Sequence, residues 1–531
     1  MAVAAGLLSL IALFGSVLAL IFRFIIHPAF FSPLSKIPAG HWTAHFSPLW
    51  ILYIRWSQQE NATILQLHEK YGEILRLGPN ELSVNSYKEG LKKIYLGGFP
   101  KNDFYKNRFT NYETTNMFSM TNSKEHSDRK RMLSHVYSKS YVLTSPTTKA
   151  ATKALLYDRL LPILEESSRE NKPLELLELM SGYSMDGFMT YQFGLSLGTN
   201  FTQNAEERKW YLTQFFKRRP YLFFITDTPR IVEFFARFGI RIVPKWVDEA
   251  TDDLESWQLK ICDKAESMLS SNEKIQDAEY PVIYAQERLA LRKAYPKMSV
   301  LNTPRKSTQT YPFRYEIASD MYDHNAAAHE TSGDTLTYVH YELASRPALQ
   351  QLLREELMAL DPPLLYPVEA GSEIVLPDFK AVDGLPLLDA IVMETLRLWV
   401  AVPGRQPRVT PDTGCTIAGY DIPPGVLIQC YAYALHRNPE VFPEPEVWKP
   451  ERWIKSSPEH LAEMKRWFWA FGSGGRMCIG NNIAMHSMKH AIAATYTNYT
   501  STIHEHGDMS LVDGFTAGPK GNRLNVVFHH V

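Results

Sequence analysis

One cysteine lies where a soft metal ligand could be presented. Cys478 stands in a glycine-rich segment, Phe471 to Gly480, just ahead of a helical pattern that runs through Ala484 and Met488. At a helix N-terminus the dipole favours a thiolate over a thiol. Glycines on both sides let backbone N–H groups approach the sulfur. A thiolate with backbone donors and the nearby Arg476 suits an anionic axial ligand for iron, with the arginine offsetting the negative edge of a porphyrin.

Other cysteine chemistries fit this sequence less well. The remaining cysteines, Cys262, Cys415 and Cys430, form no CxxC pair with Cys478 or with each other. Structural zinc sites and c-type haem attachment both need such closely spaced cysteines. A buried structural cysteine in a glycine turn is the remaining alternative.

The spacing of five residues in this segment resembles the haem-binding loop of the cytochromes P-450. They are Phe471, Gly474, Arg476, Cys478 and Gly480. The resemblance implies that Cys478 is the fifth ligand of a b-type haem, iron protoporphyrin IX, and that the other four residues shape the cofactor pocket. In this family the thiolate pushes electron density onto the iron and favours O–O cleavage.

A second motif lies on a predicted long helix. The segment from Tyr315 to Ser345 contains no proline, and apolar or small residues recur on one face at spacings of three and four. Within it, residues 327–332 resemble the oxygen-activation sequence of the same family. The resemblance implies that Ala328 leaves room for O2 and that Glu330 and Thr331 relay protons as catalytic residues. The residues expected to line the substrate pocket are Met321, Ala327, Ala328, Val402 and Phe515.

Three charged residues are expected to support the haem pocket from below. Glu394 and Arg397 are three residues apart, so they share one face of a helix. An exposed pair of this kind contributes only ~0.2–0.5 kcal/mol. In the family, such a pair joins a later arginine, here Arg452, in a buried triad beneath the cysteine loop. The resemblance therefore implies a structural brace.

Two basic residues match family positions that contact the haem propionates. Arg408, directly after a proline, stands where the family places a propionate-binding arginine. Lys130 stands where the family often has an arginine, four residues after a tryptophan that is here His126. Lysine lacks the bidentate fork of arginine, so its contact would be the weaker one. A solvated helix face is the alternative for Lys130.

The N-terminal region predicts a membrane anchor. Residues 1–22 carry no charged side chain, and a helix that crosses the hydrocarbon core needs about 20 residues. A cleaved signal peptide fits less well because no basic residue precedes the apolar stretch. Arg23 follows it, which places the downstream chain on the cytosolic side. We predict a transmembrane anchor over 1–22, a proline-rich linker over 23–40 and a single catalytic domain over 41–531.

The patterns predict a mainly α fold with a smaller β portion (α+β). The resemblance implies the cytochrome P-450 fold, with a helical haem domain and a small sheet region, after the N-terminal transmembrane helix. Alternation over residues 74–84 around a Gly-Pro-Asn turn predicts a hairpin. Strands are also predicted over 415–420 and 426–433, joined by the turn at 423–425. Helices are predicted near 125–137 and 150–166.

Length, charge and cysteine content restrict the class of protein. The chain has 531 residues, with 56 basic and 57 acidic side chains and a net charge of −1. This balance gives no reason to expect a nucleic-acid partner. Four cysteines without a framework pattern are typical of a reducing compartment.

The resemblance is strongest to microsomal members from filamentous fungi and implies a specific reaction. We expect a monooxygenase that inserts one oxygen atom from O2 into a lipophilic small molecule of secondary metabolism. Electrons would come from NADPH through a separate NADPH-cytochrome P-450 reductase, with cytochrome b5 as a further candidate donor, at the endoplasmic reticulum membrane. Two alternatives remain open: an isomerase or dehydratase that does not use O2, and a non-enzymatic haem sensor.

Overall fold

The computed structural model describes residues 2–271, 273–296, 311, 313–367 and 372–531, and its architecture is mainly helical with small sheets, as predicted. The helices, in chain order, are α1 (Ala2–Ile21), α2 (Leu49–Trp56), α3 (Glu60–Tyr71), α4 (Asp103–Phe109), α5 (Ser123–Leu133), α6 (Lys139–Thr144), α7 (Pro146–Lys153), α8 (Leu161–Glu170), α9 (Leu176–Phe193), α10 (Ala205–Lys217), α11 (Leu222–Asp227), α12 (Pro229–Ala236), α13 (Lys245–Ser270), α14 (Val282–Ala294), α15 (Arg314–Ala344), α16 (Pro347–Met358), α17 (Phe379–Asp383), α18 (Pro386–Leu398), α19 (Ala432–Leu435), α20 (Arg452–Lys455), α21 (Pro458–Trp467) and α22 (Asn481–Asn498). Shorter 3₁₀ or π-helical segments are Phe22–Phe31, Pro33–Lys36, Trp42–His45, Tyr87–Leu96, Ala154–Leu160, Arg219–Tyr221, Asp277–Glu279 and Gly474–Arg476.

The strands form small sheets beside the helices. They are β1 (Ile74–Gly78), β2 (Glu81–Val84), β3 (Leu174–Glu175), β4 (Arg408–Val409), β5 (Cys415–Ile417), β6 (Tyr420–Ile422), β7 (Leu427–Gln429), β8 (Tyr499–His506) and β9 (Leu524–His530). One sheet has the order β1-β2-β7-β4, in which β2 and β7 run parallel and the other neighbours antiparallel. A second has the order β3-β9-β8, and β5 pairs with β6.

The predicted hairpin over 74–84 is confirmed by the antiparallel β1-β2 pair. The predicted strand over 415–420 is wrong, because the chain reverses inside it. Ala418 and Gly419 both have positive φ, of 50° and 80°, and they close the tight β5-β6 hairpin. The turn at 423–425 therefore joins β6 to β7 and not the two predicted strands.

The N-terminal helix is longer than predicted. Helix α1 continues without a break into the π-helical segment Phe22–Phe31. The apolar stretch Gly6–Phe31 has a mean hydropathy of 2.4 and is not buried against the rest of the protein. The segment contains Pro28, which has no backbone N–H, so the helix passes this residue with one hydrogen bond of its ladder missing. The helix ends at Ser32, where the backbone becomes extended. The predicted boundary at residue 22 thus falls inside the helix, and the first part of the predicted linker is helical.

Helix α15 lies in the middle of the helical region, as its predicted length suggested. It packs against α9, α13, α18 and α22, and most of its side chains are buried. Gly333 permits the closest approach to α9, since a Cβ there would lie 2.7 Å from the Cα of Ser181. Apolar clusters on both sides of α15 make up the main core and hold this helix in place.

Candidate active site

The segment that carries Cys478 is held in shape by its own backbone. The N–H of Cys478 donates to the carbonyl of Phe471 over 2.8 Å, and the N–H of Met477 donates to that of Gly474 over 3.1 Å. Gly474 has φ +68°, and a Cβ there would lie 2.4 Å from the carbonyl oxygen of Tyr95. Glycine is therefore required at this position, which explains one of the five matched residues.

The sulfur of Cys478 faces an internal cavity. Its exposed surface opens onto this cavity and not onto the outside of the protein, and it lines the cavity together with residues of α15. Helix α22 begins at Asn481, so Cys478 precedes the helix N-terminus as predicted. Burial raises the pKa of the thiol, although the backbone N–H groups of Gly480 and Asn481 and the charge of Lys130 act in the opposite direction. A coordinating metal ion would overcome the raised pKa of the thiol, because a metal deprotonates a thiol ligand outright.

The cavity measures about 350 Å³ and has a mainly apolar lining. Most of the predicted site residues lie on its wall. The predicted residues that line it are Lys130, Ala327, Ala328, Glu330, Thr331, Val402, Phe471, Arg476, Cys478, Gly480 and Phe515. The cysteine motif and the α15 motif, about 150 residues apart in sequence, thus meet at a single cavity, which is the spatial relation that the resemblance implied.

Met321 was expected in the substrate pocket, and this prediction is wrong. Its side chain is fully buried in the core, where the amide of Gln192 lies 3.1 Å from its sulfur and donates to its backbone carbonyl over 2.8 Å. Helix α9 covers this end of the predicted face of α15. Ile317 is buried in the same cluster, so only the later part of the face, from His324 onward, reaches the cavity.

The two predicted proton-relay residues have different partners. The hydroxyl of Thr331 donates to the carbonyl of Ala327 over 2.9 Å, the turn onto the backbone that such a residue makes within a helix. The carboxylate of Glu330 forms an ion pair with Arg219, which lies in the segment between α10 and α11. Sequence analysis missed Arg219, because no local pattern relates a residue in this connecting segment to α15.

A group of basic side chains lies beside the Cys478 loop; we call Lys101, His126, Lys130, Arg408 and Arg476 the loop-side cations. Lys130 donates to the carbonyls of Gly475 and Met477 over 3.1 and 2.7 Å. Arg408, which is buried, donates to the Tyr105 hydroxyl over 2.8 Å. Within the described part of the chain, none of the five forms an ion pair with a carboxylate.

This concentration of positive charge changes the pKa values of the group. Burial, and then the charges of Arg408 and Arg476, hold the pKa of Lys101 well below its usual value. Burial and neighbouring cations lower the pKa of His126 to about 3 and that of Arg476 to about 10. A buried cationic group that forms no ion pair is costly unless an anion completes it. Lys101 was not predicted, because a single lysine in a loop carries no distinguishing sequence signal.

The donor set fits a haem. A cysteine sulfur faces an apolar cavity, and unpaired cations beside its loop could receive two propionate groups. Among the described residues there is no cluster of three or more His, Cys, Asp or Glu side chains able to hold a bare metal ion. The site therefore suits an iron that arrives inside an organic macrocycle.

The predicted brace is present as a buried ion-pair network. Arg397 donates to both carboxylate oxygens of Glu394, over 2.9 and 2.8 Å, and Arg452 donates to one of them over 3.1 Å. The indole N–H of Trp453 adds a fourth bond, over 2.9 Å. Glu394 and Arg397 have no exposed side-chain surface. The carboxylate is thus fully paired, as a buried charge must be to remain ionised.

His436 connects this network to the cysteine segment, and sequence analysis missed it. Its Nδ1 donates to the carbonyl of Arg397 over 2.9 Å, and its Nε2 accepts from the backbone N–H of Trp469 over 2.7 Å. The Trp469 indole then donates to Ser473 over 3.0 Å, inside the loop. A chain of hydrogen bonds therefore runs from α18 to the Cys478 segment.

Three features define the class of haem-thiolate proteins. They are a thiol on an apolar cavity, a long helix that crosses over the cavity, and a buried Glu-Arg-Arg network beneath the cysteine segment. The family model described as cytochrome P450 matches residues 44–526. The chain belongs to this family, which implies a haem cofactor, and it is an enzyme of the monooxygenase class.

Curated relatives agree with this assignment. A cytochrome P-450 monooxygenase, hkm5, of Aspergillus hancockii is 27% identical, over 93% of this chain and 91% of that protein. The monooxygenase aflV of Aspergillus parasiticus is 26% identical, over 94% and 92%. Pisatin demethylase of Fusarium vanettenii is 25% identical, over 91% and 87%.

Proposed function

We propose that this protein inserts one oxygen atom from O2 into a lipophilic small molecule of fungal secondary metabolism. The observation that carries the proposal is that the Cys478 sulfur and the Glu330-Thr331 pair line the same apolar cavity. The names of the relatives, which include a demethylase of pisatin, support a reaction on small organic molecules. Residues 41–531 would form a single catalytic domain around this cavity.

The lining of the cavity and the loop-side cations support a specific set of residues that would hold the haem. Cys478 would be the axial ligand of the haem. The propionates would be bound by four cations, namely Arg408, Arg476, Lys130 and Lys101. Phe471, Gly474 and Gly480 would shape the loop that presents the sulfur. When bound, a thiolate-ligated haem supplies the iron at which O2 is reduced and its O–O bond is cleaved.

Thr331 and Glu330 would deliver protons on the distal side. The Thr331 hydroxyl donates its hydrogen bond to the carbonyl of Ala327, so its oxygen lone pairs are available to accept a hydrogen bond from a water in the cavity. Glu330 is ion-paired with Arg219 and must leave this partner to pass a proton inward. The apolar parts of the wall, including Ala328 and Val402, would offer few other hydrogen-bonding partners to water near this route.

We further propose that electrons come from NADPH through a separate NADPH-cytochrome P-450 reductase, with cytochrome b5 as a second donor. The apolar helix Ala2–Ile21 with its continuation to Phe31 would be a single-pass anchor in the endoplasmic reticulum membrane. Arg23, on the C-terminal side of most of the apolar residues, favours a cytosolic catalytic domain.

The proposed reaction can be separated from the two alternatives. An isomerase or dehydratase turns over without O2, and a haem sensor produces no product. Purified protein is combined with the reductase, NADPH and isotopically labelled O2, and products are analysed by mass spectrometry after feeding with extracts of candidate pathway intermediates. The proposal expects one labelled oxygen atom per oxidation event. Product without label would favour the isomerase, and a bound haem with no turnover of any compound would favour the sensor.

A further inference from the structure

A second group of arginines lies at the distal side of the cavity, apart from the loop-side cations. It comprises Arg108 of α4, Arg218 and Arg219 beside α10, and Arg405. The charges of the other three arginines act on Arg108 and lower its pKa. Two of them are neutralised: Arg219 pairs with Glu330, and Arg405 pairs with Asp227. Arg108 and Arg218 form no ion pair with any described carboxylate, and both line the cavity.

Arg108 is the residue whose donors are least satisfied. Its guanidinium carbon lies 5.5 Å from the ring centroid of Phe109 and 5.0 Å from that of Phe515. Such stacking uses the flat faces of the guanidinium and leaves the N–H groups at its edge free. Within the described residues, no carbonyl, hydroxyl or carboxylate accepts a hydrogen bond from it. Arg218, by contrast, reaches the hydroxyls of Thr251 and Tyr322, over 3.4 and 3.5 Å.

The nearby acids cannot neutralise Arg108, because they are already paired. Asp227 bonds to Arg405 and lies 3.7 Å from a second guanidinium, that of Arg55. Glu330 is held by Arg219. Burial lowers the pKa of Arg108 to about 10, with Asp227 opposing this shift, so the side chain stays charged at neutral pH. A charged guanidinium that lines the cavity without a bonded acid can be completed by an anion from outside the protein.

We propose that Arg108 binds a carboxylate of the substrate, so that the enzyme acts on lipophilic carboxylic acids. This inference rests on the proposed function and specifies its substrate class. A guanidinium edge binds a carboxylate through two parallel hydrogen bonds, a geometry that suits one acidic group. Phe109 and Phe515 fix the plane of the guanidinium, so the acid would be held in one orientation while the apolar body of the substrate fills the remaining cavity.

The loop-side cations do not compete for this role. They lie beside the Cys478 segment, where Lys130 donates to the carbonyl of Met477 and Arg476 donates to the carbonyl of Met120, and they suit the propionates of the cofactor. The cations that act electrostatically on Arg108 are Arg218, Arg219 and Arg405, and none of them is a loop-side cation. We therefore assign the loop-side cations to the cofactor and Arg108 to the substrate.

The test compares each acid with its own methyl ester. Dodecanoic acid and naphthylacetic acid are titrated, beside their methyl esters, into full-length holoprotein, and the dissociation constants are measured by calorimetry. The variants are Arg108→Gln, Arg108→Lys and Lys106→Gln. Lys106→Gln is a matched control, because Lys106 lies exposed on the same helix and its substitution removes the same charge.

Wild-type protein and Lys106→Gln are expected to bind at least one acid about tenfold or more tightly than its ester. Arg108→Gln should abolish this preference without weakening the ester, and Arg108→Lys should retain part of it. Equal affinity for acid and ester in the wild type, failure of both acids to bind, or a preference that survives in Arg108→Gln would each overturn the inference. Haem content is recorded for every sample: a haem-containing protein without acid preference rejects only this inference, whereas a wild type that binds no haem rejects the proposed function.

Discussion

The imidazole of His436 joins the buried network of Glu394 to the backbone of Trp469. Its Nε2 accepts the Trp469 N–H over 2.7 Å, while its Nδ1 donates to the carbonyl of Arg397 over 2.9 Å. Both ring nitrogens are thus used, which fixes a neutral imidazole with its proton on Nδ1. Through this ring, the position of the Cys478 segment depends on the ion pairs of α18.

Loss of the brace should prevent the protein from holding haem. Glu394→Ala leaves the buried guanidinium of Arg397 without its acid, which costs about 3–5 kcal/mol. We expect the haem-to-protein ratio of the purified variant to fall to a small fraction of the wild-type value. The measurement is haem content with the thermal midpoint of its loss.

Arg466→Ala is the matched control for this experiment. Arg466 and Glu463 form an ion pair at the same three-residue spacing, but 55% and 39% of their side-chain surfaces are exposed. Exposed pairs contribute ~0–1 kcal/mol, so haem content should be unchanged. A Glu394→Ala protein with full haem and merely slower turnover would show that the network is not a brace.

The stability of the protein should decrease as the pH falls below neutral. Burial, with the charges of Arg397 and Arg437, lowers the pKa of His436 from 6.5 to about 3. The unfolded state therefore binds a proton that the folded state excludes, and stability is lost as the pH falls from 6.5 towards 3. One such group contributes about 1.4 kcal/mol per pH unit in this window.

His436→Gln should show this contribution directly. The variant is less stable than the wild type at pH ~7 because it loses a buried bond, but it lacks the titrating group. Its thermal midpoint should therefore fall less steeply between neutral pH and about pH 5. Parallel midpoint curves for the two proteins would contradict the assigned ionisation state. Other buried histidines, such as His68 and His340 with pKa values lowered to about 4, account for the slope that remains.

Local sequence patterns predicted the parts of the site that lie on one element or within one loop. The Cys478 segment, helix α15 and the pair Glu394-Arg397 are of this kind, since spacing alone decides which residues share a face or a turn. Their meeting at a single cavity was expected from the resemblance and not from spacing. Lys101, Arg219 and His436 could not be predicted, because each acts through a contact with a residue distant in sequence.

The errors have different physical origins. Met321 has the correct periodicity for the cavity face, but tertiary packing against α9 buries it. The turn at Ala418 and Gly419 lacks the Asn-Gly or Pro-Gly signal that marks a typical reversal. The N-terminal helix extends past the predicted boundary at residue 22, because the single charge of Arg23 does not end a helix.

Thr331→Ala should separate electron consumption from product formation. The substitution removes one hydroxyl that bonds to Ala327 and lines the cavity. Haem content and substrate affinity should stay close to wild type. Without the hydroxyl, protons would arrive at the wrong oxygen atom, so we expect NADPH consumption to continue while product per NADPH falls about tenfold and hydrogen peroxide rises.

Thr337→Ala serves as the control, because Thr337 makes the same bond to the carbonyl four residues earlier, over 2.8 Å, but is fully buried away from the cavity. It should change stability and leave coupling intact. Equal product per NADPH in Thr331→Ala and wild type, measured with the same substrate, would remove Thr331 from the proton route and favour the isomerase alternative.

Deletion of residues 1–21 should release the protein from tight membrane attachment. The deletion removes α1 and keeps Pro28, whose carbonyl accepts from Arg76 of the folded domain over 3.0 Å. Haem content of the truncated protein should equal that of the full chain. The measurement is the fraction that remains in carbonate-washed membranes, which we expect to be small. Full retention after the deletion would show that another surface, such as the exposed apolar side chains of α12, holds the membrane.

The identity of the axial ligand is the central claim, and the absorption spectrum of the ferrous–CO complex tests it most directly. A thiolate ligand gives this complex a red-shifted band, which wild type and the control Cys415→Ser should both show. Cys478→His should lose the red-shifted band while the protein still folds. Persistence of the band in Cys478→His would mean that another residue binds the iron, and would contradict the account at its centre.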